Sequence, residues 1–532
     1  MFDPFPPLQL MRPVEIIDKL RSDAFEELDR YFNQVQHSYE QDQLSEEDLN
    51  YAFAGFDSEA QTLGEKLGSW INQSGSYAAH VALSRWFLGQ AWLYRGGSTF
   101  NEVSDRGRRG MQYHLEQAEG CARASLHLTQ KPLLSFLVLA GVQHTHGNRL
   151  SVEDLQAGRY ADWYLEGIRI APASLKLRQR LLGTLRTEWG GSDQHMLMYI
   201  RSQEGVLSQA DHQKLWAQFH EQMAHHAYFF QKNPQQALEY IEYAVQLNPA
   251  LQDQRAFYLY GLNRNTEATD ILMQLLKKHD GDVRFFVAQS ATASLLKELE
   301  GGHPDQEYVY RYLKIQAQDG DLEAVVQVGQ LSENLSSLEG AESPAYWYEK
   351  ALKEGKNRAG ALLVFHVLRV GGTIEQMMQH VYQGAEARNA YCCGVLYENF
   401  PLYQKNFNLD ERSKYKYLLR AADAGDNASR MELARLLKAG RVELGEDGVV
   451  RPIRGKPTAD SLEYAEHLEG RALAEGYKTS KGEKRKKFFA GVHQKQKAAI
   501  FILGGLRYWW VLLLLLWVVL RACSIATGPE NG

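Results

Sequence analysis

The chain has 532 residues, 44% hydrophobic and 23% charged, an ordinary composition for a folded protein but a length too great for one compact domain. Its formal net charge is −6, yet residues 478–521 carry a net of +9, which leaves −15 on the rest of the chain. The acidic body is poorly suited to nucleic acid, because phosphates require a basic face.

The N-terminal sequence and the cysteines indicate a cytoplasmic protein. Residues 1–16, MFDPFPPLQLMRPVEI, lack the charged and continuously apolar regions of a secretory signal. The four cysteines, Cys121, Cys392, Cys393 and Cys523, are too few and too scattered for a disulfide framework. We therefore expect small core cysteines in a reducing compartment.

Helical periodicity dominates from the N-terminus onward. Apolar residues recur every four positions from Ile16 to Phe32, which places them on one face of a helix. Alternating runs of Val, Ile and Thr between turns are scarce, so few strands are expected. The sequence predicts an all-α fold, with an N-terminal helical domain over residues 1–205.

Three elements within that first domain share a resemblance. They are Trp70 with Ser76-Tyr-Ala-Ala-His, then Ala91-Trp-Leu-Tyr-Arg-Gly96, then Trp189-Gly-Gly-Ser-Asp-Gln-His-Met196. Together they resemble an uncharacterised bacterial domain family that is often joined to helical repeats. The resemblance implies architecture and no chemistry, so these residues have an unknown role: Trp92, Arg95, Gly96, Trp189, Gly190, Gly191 and Ser192.

The Trp189–Ser192 element is interpreted as a helix junction. Its two glycines permit a tight, left-handed turn, Ser192 can cap the next helix, and Trp189 would fill the corner. The alternative is a ligand-contacting loop. Residues 95–99, Arg-Gly-Gly-Ser-Thr, offer a weak second alternative, an anion site at a helix start.

The histidines do not predict a metal site. His220 and His225 lie five residues apart on a predicted helix that also holds His212 and His226, whereas zinc binding needs a spacing of four. His144, in His144-Thr-His146, is interpreted as part of a loop. Phosphate-binding glycine loops and nucleophile elbows are absent from the sequence, so no catalytic, cofactor or metal site is predicted.

Residues 206–300 resemble tetratricopeptide helices. The stretch NPQQALEYIEYAVQLNPALQ, residues 233–252, matches the second helix of such a unit, and NTEATDILMQLLKKHDGD from Asn265 resembles another. Each such unit leaves an apolar face that only a stacked neighbour can cover.

Residues 301–476 repeat one pattern four times, with a predicted exposed loop at 438–461. An aromatic-rich helix, a short turn and a helix that starts with small residues recur, and the equivalent alanines are Ala324, Ala359, Ala390 and Ala428. Their spacings are 35, 31 and 38 residues. These units resemble Sel1-like repeats, so the resemblance implies an α-solenoid of stacked helix pairs.

The C-terminus predicts a membrane anchor. A basic segment, 478–497, precedes an apolar stretch, 498–520, that is long enough to span a bilayer, and a short tail, 521–532, follows. Basic residues near membranes stay on the cytoplasmic side and contact anionic lipid. The anchor and orientation residues are Lys484, Arg485, Lys486, Lys487, Arg507, Tyr508, Trp509, Trp510, Trp517 and Arg521.

Arg507 interrupts that apolar stretch. It either snorkels to the cytoplasmic face beside Tyr508, Trp509 and Trp510, or pairs with a partner's acid inside the bilayer. Snorkelling is favoured, because the free energy gained by inserting the Leu-rich section into the bilayer outweighs the cost of one charge.

The features together predict a non-enzymatic, membrane-tethered interaction scaffold at the bacterial inner membrane, with most of the chain in the cytoplasm. Its partners would be another protein in the solenoid groove and membrane lipid at the C-terminal helix, with no nucleic acid and no cofactor. Two alternatives stay open, an immunity-type protein that binds a membrane-acting toxin and an enzyme of unrecognised type in the N-terminal domain.

Overall fold

The computed structural model describes residues 9–57, 60, 62–95, 103, 105–145, 150–280, 282, 287, 289–299, 305–333, 342–445, 449–453 and 455–474. Over these residues the chain is α-helical except for one two-stranded ribbon, which confirms the prediction of an all-α fold. The chain divides into two compact units, Met1–Ala424 and Gly425–Gly532.

The N-terminal helices of the first unit begin at capping side chains in several places, such as Ser45, Ser151 and Ser174, whose hydroxyls accept backbone N–H bonds. These helices are α1 (Pro13–Arg21), α2 (Phe25–Glu40), α3 (Glu46–Ala52), α4 (Leu63–Ser74), α5 (Tyr77–Arg95), α6 (Asp105–Ser125), α7 (Leu133–Thr145), α8 (Val152–Gln156), α9 (Asp162–Ile170), α10 (Leu175–Thr184) and α11 (Asp193–Ser202).

Most of the remaining helices of the first unit pack against a helix adjacent in the chain. They are α12 (Gln209–Phe229), α13 (Pro234–Leu247), α14 (Gln252–Gly261), α15 (Asn265–Lys278), α16 (Gln289–Glu298), α17 (Gln306–Gln318), α18 (Leu322–Ser332), α19 (Pro344–Lys353), α20 (Ala359–Arg369), α21 (Ile374–Glu386), α22 (Ala390–Glu398), α23 (Phe400–Phe407) and α24 (Ser413–Asp423).

Helix α12 belongs to two hydrophobic cores. Its first half supplies Leu215 and Phe219 to a core that gathers the buried apolar residues of α1–α11. Its second half supplies Ala224 and Ala227 to the core that runs through α13–α20. The N-terminal helices and the repeats are therefore joined by one continuous helix rather than by a linker.

Side-chain donors at one repeated position connect successive repeats of the first unit. In three first helices the residue before an alanine near the helix end donates to a backbone carbonyl about one repeat earlier: Gln316 to Asp282 at 3.3 Å, Lys350 to Ala317 at 3.3 Å, and Arg420 to Ala385 at 3.4 Å. Two of the three acceptors, the carbonyls of Ala317 and Ala385, lie in the last turn of a helix and have no partner within it. The prediction of stacked helix pairs is confirmed.

The turns between paired helices explain why the repeat pattern is uneven. Gly320 has φ +103°, and Asp321 after it caps α18. At the matching place before α22, Arg388 takes a left-handed conformation with φ +62°, and Asn389 is the cap. The geometry of the turn is thus kept where the glycine is not.

The second unit contains α25 (Asn427–Lys438), β1 (Val442–Leu444), β2 (Val450–Pro452) and α26 (Ala459–Ala474). The strands pair antiparallel, with Val442 opposite Pro452 and Leu444 opposite Val450. Both β-branched valines are buried, which accounts for a ribbon inside the predicted loop 438–461.

No helix among the described residues is long and apolar enough to cross a membrane. The predicted segments 478–497, 498–520 and 521–532, with every anchor residue from Lys484 to Arg521, lie outside the described residues. The membrane anchor therefore stays a prediction.

Candidate functional site

Two of the three sequence elements of unknown role meet at one place in the first unit. Trp92 and Arg95 lie on the last turn of α5, and Trp189 closes a short 3-10 turn, Thr187–Trp189. The two indole rings meet edge to face with centroids 6.0 Å apart. The Arg95 guanidinium carbon lies 5.2 Å from the Trp92 ring centroid and 5.4 Å from that of Trp189, a cation–π arrangement with both rings.

Arg95 lies at the end of α5, and residues 96–99 lie outside the described residues, so the alternative of an anion site at 95–99 stays a prediction. A helix C-terminus carries partial negative charge and favours a cation such as this guanidinium. Gly96, the next residue of the element, lies outside the described residues.

His144 completes this group, which we call the tryptophan cluster: Trp92, Arg95, His144 and Trp189. Its ring centroid is 4.1 Å from that of Trp189 and 6.3 Å from that of Trp92. Because His144 lies on the last turn of α7, its interpretation as a loop residue is wrong. The apolar run Leu133–Val142 continues the helix up to it.

The imidazole of His144 is held neutral. Burial, together with the positive charges of Arg186, Arg180 and Arg95, lowers the pKa of His144 to about 4. A neutral ring packs against indole without a second cation competing for the ring faces. The cluster therefore has one cation, Arg95, between aromatic walls.

The turn after Trp189 forms as the sequence predicts. Gly190 has φ +86°, a conformation that favours glycine, and a Cβ on Gly191 would lie 2.0 Å from the carbonyl oxygen of Leu185. Ser192 caps α11 by accepting the backbone N–H of His195 at 3.3 Å. Each residue of Trp189-Gly-Gly-Ser192 thus has a structural reason for its identity.

Charged groups beside the turn join it to α12. The Arg186 guanidinium contacts Glu188 at 3.2 Å and Nδ1 of His225 at 3.2 Å, and Nδ1 of His226 lies 3.4 Å from the Glu188 carboxylate. Burial raises the pKa of Glu188, but the neighbouring His225 and the Arg186 charge outweigh it and lower that pKa to about 2.

The four histidines of α12 lie on one helix as predicted, and each has its own neighbour. His212 contacts the Ile200 carbonyl at 3.0 Å, and His220 stacks on Tyr243 with centroids 5.7 Å apart. Within the part of the chain that the structure describes, no three His, Cys, Asp or Glu side chains are grouped to hold a metal ion.

Sequence reasoning missed His144, Arg186 and Glu188 as neighbours of the family elements. Arg186 and Glu188 directly precede Trp189, so their proximity to the turn was available from the sequence. Their pairing with His225 and His226 was not, because 38–39 residues separate the partners and no local pattern encodes that contact.

Comparison with known proteins adds little to this geometry. No protein-family model and no curated protein matches the chain, so its resemblance to an uncharacterised bacterial domain family stays a prediction. A similar solved structure is that of a protective antigen present in uropathogenic Escherichia coli strains and displaying an SLR fold. It is 16% identical, covers 77% of this chain and 79% of its own, and superposes with a TM-score of 0.29. A superposition this loose carries no argument about this chain.

Proposed function

We propose that the chain is a helical scaffold that binds another protein, and that the end of α12 is part of the binding surface. The supporting observation is a pair of adjacent aromatic side chains, Phe229 and Phe230, which are 41% and 56% exposed. Exposed adjacent aromatics mark interaction surfaces, because aromatic anchors contribute much of the binding energy at protein interfaces.

These side chains belong to a continuous surface, the α12 face, which comprises His225, Phe229, Phe230 and Phe257. Phe229 stacks on Phe257 of α14 with centroids 6.1 Å apart, and its ring lies 4.6 Å from that of His225. The rings are thus held by neighbours on two helices, so a partner would meet a preorganised surface.

The Arg186–Glu188 pair beside this face forms a polar rim. His225 is shared between the α12 face and the Arg186–Glu188 pair, which it contacts at 3.2 Å and 3.9 Å. An apolar centre with a charged rim is the usual organisation of a protein interface, in which the rim contributes specificity.

The test is capture of the partner from gently solubilised membranes, followed by binding measurements with the purified pair. The double variant Phe229→Ser and Phe230→Ser should weaken the dissociation constant by about tenfold or more, because both anchors are lost. The control, Val206→Ser, removes an apolar side chain that is equally exposed, at 56%, and lies outside the α12 face. Equal affinity for the double variant and the control would refute this surface.

The repeats also carry exposed aromatic side chains. Tyr346 on α19 is 48% exposed and Phe365 on α20 is 46% exposed, and the Phe365 ring lies 5.0 Å from that of Tyr391. We propose that an extended partner also contacts these rings. Phe365→Ser should then weaken binding further, and unchanged binding would confine the interface to the α12 face.

We propose in addition that residues 498–520 tether this scaffold to the bacterial inner membrane, with the basic segment 478–497 against anionic lipid. The support is the composition of these segments. Deleting 498–520 should move the protein to the soluble fraction, and persistence at the membrane would refute a sole anchor there. The immunity-type and enzyme alternatives gain no support from the residues that the structure describes.

A further inference from the structure

Helices α7 and α10 pack against each other and bring a polar group together beside the tryptophan cluster. His144 lies on the last turn of α7, Arg180 in the middle of α10, and Arg95 at the end of α5. The charges of Arg180 and Arg95 both act on the His144 ring, so the three side chains lie near one another. We call these three side chains the Arg180 site.

Arg180 holds its guanidinium in an enclosed but accessible position. The residue is exposed to solvent, and its side chain makes no hydrogen bond or ion pair with any residue that the structure describes. Burial nevertheless lowers the pKa of Arg180, and the positive charge of Arg85 lowers it further. A side chain that water reaches although protein surrounds it lies in a concave part of the surface. The five N–H donors of this guanidinium are therefore within reach of a ligand.

The carboxylates nearest to this site are held by other cations. Asp57 offsets the lowering of the Arg180 pKa only in part, and both of its oxygens accept from the Arg85 guanidinium. Glu188 is bound by Arg186 at 3.2 Å. Among the described residues, no acid forms an ion pair with Arg180. Such a charge in a partly desolvated position costs free energy, which a bound anion would offset.

His144 supplies a neutral donor to the same place. Its pKa of about 4 leaves the imidazole uncharged at neutral pH, so one ring nitrogen carries a hydrogen. Neither ring nitrogen bonds to a described residue, and neither is among the fully buried polar atoms that lack a partner. Both nitrogens therefore keep surface that a ligand can contact.

We propose that the Arg180 site binds a phosphate group. The Arg180 guanidinium is a planar fork that holds two oxygens of one anion, and the His144 N–H donates to a third. A phosphate group offers three such oxygens, whereas a carboxylate offers two. Arg95 adds a second positive charge, and its position is fixed by its contacts with the rings of Trp92 and Trp189.

Calorimetric titration of the full-length chain in mild detergent at neutral pH tests the proposal with two phosphate probes. The probes are inorganic phosphate and the peptide acetyl-Gly-phosphoserine-Gly-amide, and the controls are acetate and the unphosphorylated peptide. Both phosphate probes should bind. Acetate and the unphosphorylated peptide should bind about tenfold more weakly or worse, because neither offers a third charged oxygen to the imidazole.

Substitutions of Arg180 change the site without breaking a described hydrogen bond of the fold. Arg180→Gln removes the fork and should weaken phosphate binding about tenfold or more. Arg180→Lys keeps the charge without the fork, so it should recover only part of that loss. The matched control, Arg169→Gln, removes the same charge from an exposed position on α9 and should bind phosphate as wild type does.

The His144 ring reports where the phosphate binds. In protein with isotope-labelled histidine, the His144 signal is the NMR signal that His144→Phe lacks. Phosphate should shift this signal in wild type, because the bound anion contacts the ring, and should leave it in place in Arg180→Gln. A signal that phosphate does not move in wild type would overturn the proposal, even if phosphate binds elsewhere on the chain.

The affinities separate the remaining outcomes. Equal phosphate affinity of wild type and Arg180→Gln, acetate that binds as tightly as phosphate, or no binding of either phosphate probe would also overturn the proposal. If the phosphopeptide binds more tightly than inorganic phosphate, the ligand is a phosphorylated side chain of a partner protein. If inorganic phosphate binds as tightly as the peptide, the site takes a free phosphate compound.

Discussion

The Arg21 guanidinium donates two hydrogen bonds to the Glu354 carboxylate, although 333 residues separate them in sequence. Arg21 ends α1 and Glu354 follows α19, so the first helix of the chain contacts the repeats directly. A second contact is close by, since the Tyr51 hydroxyl donates to Asp319 at 3.1 Å. The beginning of the chain is therefore part of the fold of the repeats.

This pairing predicts that Glu354→Ala loosens α1. The pair is two-pronged but partly exposed, so its loss should lower the free energy of unfolding by about 1 kcal/mol. Hydrogen exchange should accelerate in residues 13–21 more than in α12. The control Arg311→Ala removes an exposed ion pair within one helix, with Glu307, and should leave exchange in α1 unchanged. Unaltered protection of α1 in Glu354→Ala would show that apolar contacts alone hold it.

We predict that the stability of the fold near α1 depends on pH through the carboxyl group of Asp319. The residue is 3% exposed, and burial raises its carboxyl pKa, although the Tyr51 hydrogen bond and the Arg12 charge lower it in part. A raised carboxyl pKa in the folded state means that the proton is bound more tightly there, so stability falls as pH rises through that range.

Asp319→Asn should therefore be more stable than wild type at pH 7, and the difference should shrink toward pH 4 as wild-type Asp319 gains its proton. Urea unfolding at the two pH values measures both quantities. A variant that is less stable than wild type at pH 7 would show that the Arg12 charge, 3.9 Å away, outweighs desolvation.

The sequence was most informative where structure is set by local chemistry. Helices follow apolar periodicity and caps such as Ser192, and the turn at Gly190 needs the conformation that glycine provides. The tryptophan cluster was predictable only in part, because Trp92 and Trp189 are 97 residues apart and meet through the packing of α5 against its neighbours. The prediction of a loop at His144 is wrong, because a short His-Thr-His run carries no periodicity of its own.

We predict that protonation of His144 lowers the free energy of unfolding in mild acid. Its pKa of about 4 lies below the ordinary histidine value, so the stability that the neutral ring contributes is present above pH 6.5 and is lost as pH falls toward 4. His144→Phe keeps a ring against Trp189 but cannot take a proton. The variant should resemble wild type at pH 7 and gain about 1–2 kcal/mol relative to it at pH 5.

Thermal or urea unfolding at the two pH values measures this difference. The control His127→Phe changes an exposed histidine and should leave the pH dependence as in wild type. A His144→Phe variant with the wild-type pH dependence would mean that another group causes the acid sensitivity.

We predict that replacing Arg388 with glycine stabilises the turn before α22. A left-handed conformation costs an L-residue about 1–2 kcal/mol, and the added freedom of glycine in the unfolded chain offsets part of the gain. Arg388→Gly should therefore raise the free energy of unfolding by about 0.5–1 kcal/mol, measured by urea unfolding. The matched control is Gly320→Ala at the corresponding turn, where φ is +103° and an alanine should destabilise the protein. If Arg388→Gly destabilises instead, the arginine side chain contributes more to the fold than its backbone conformation costs.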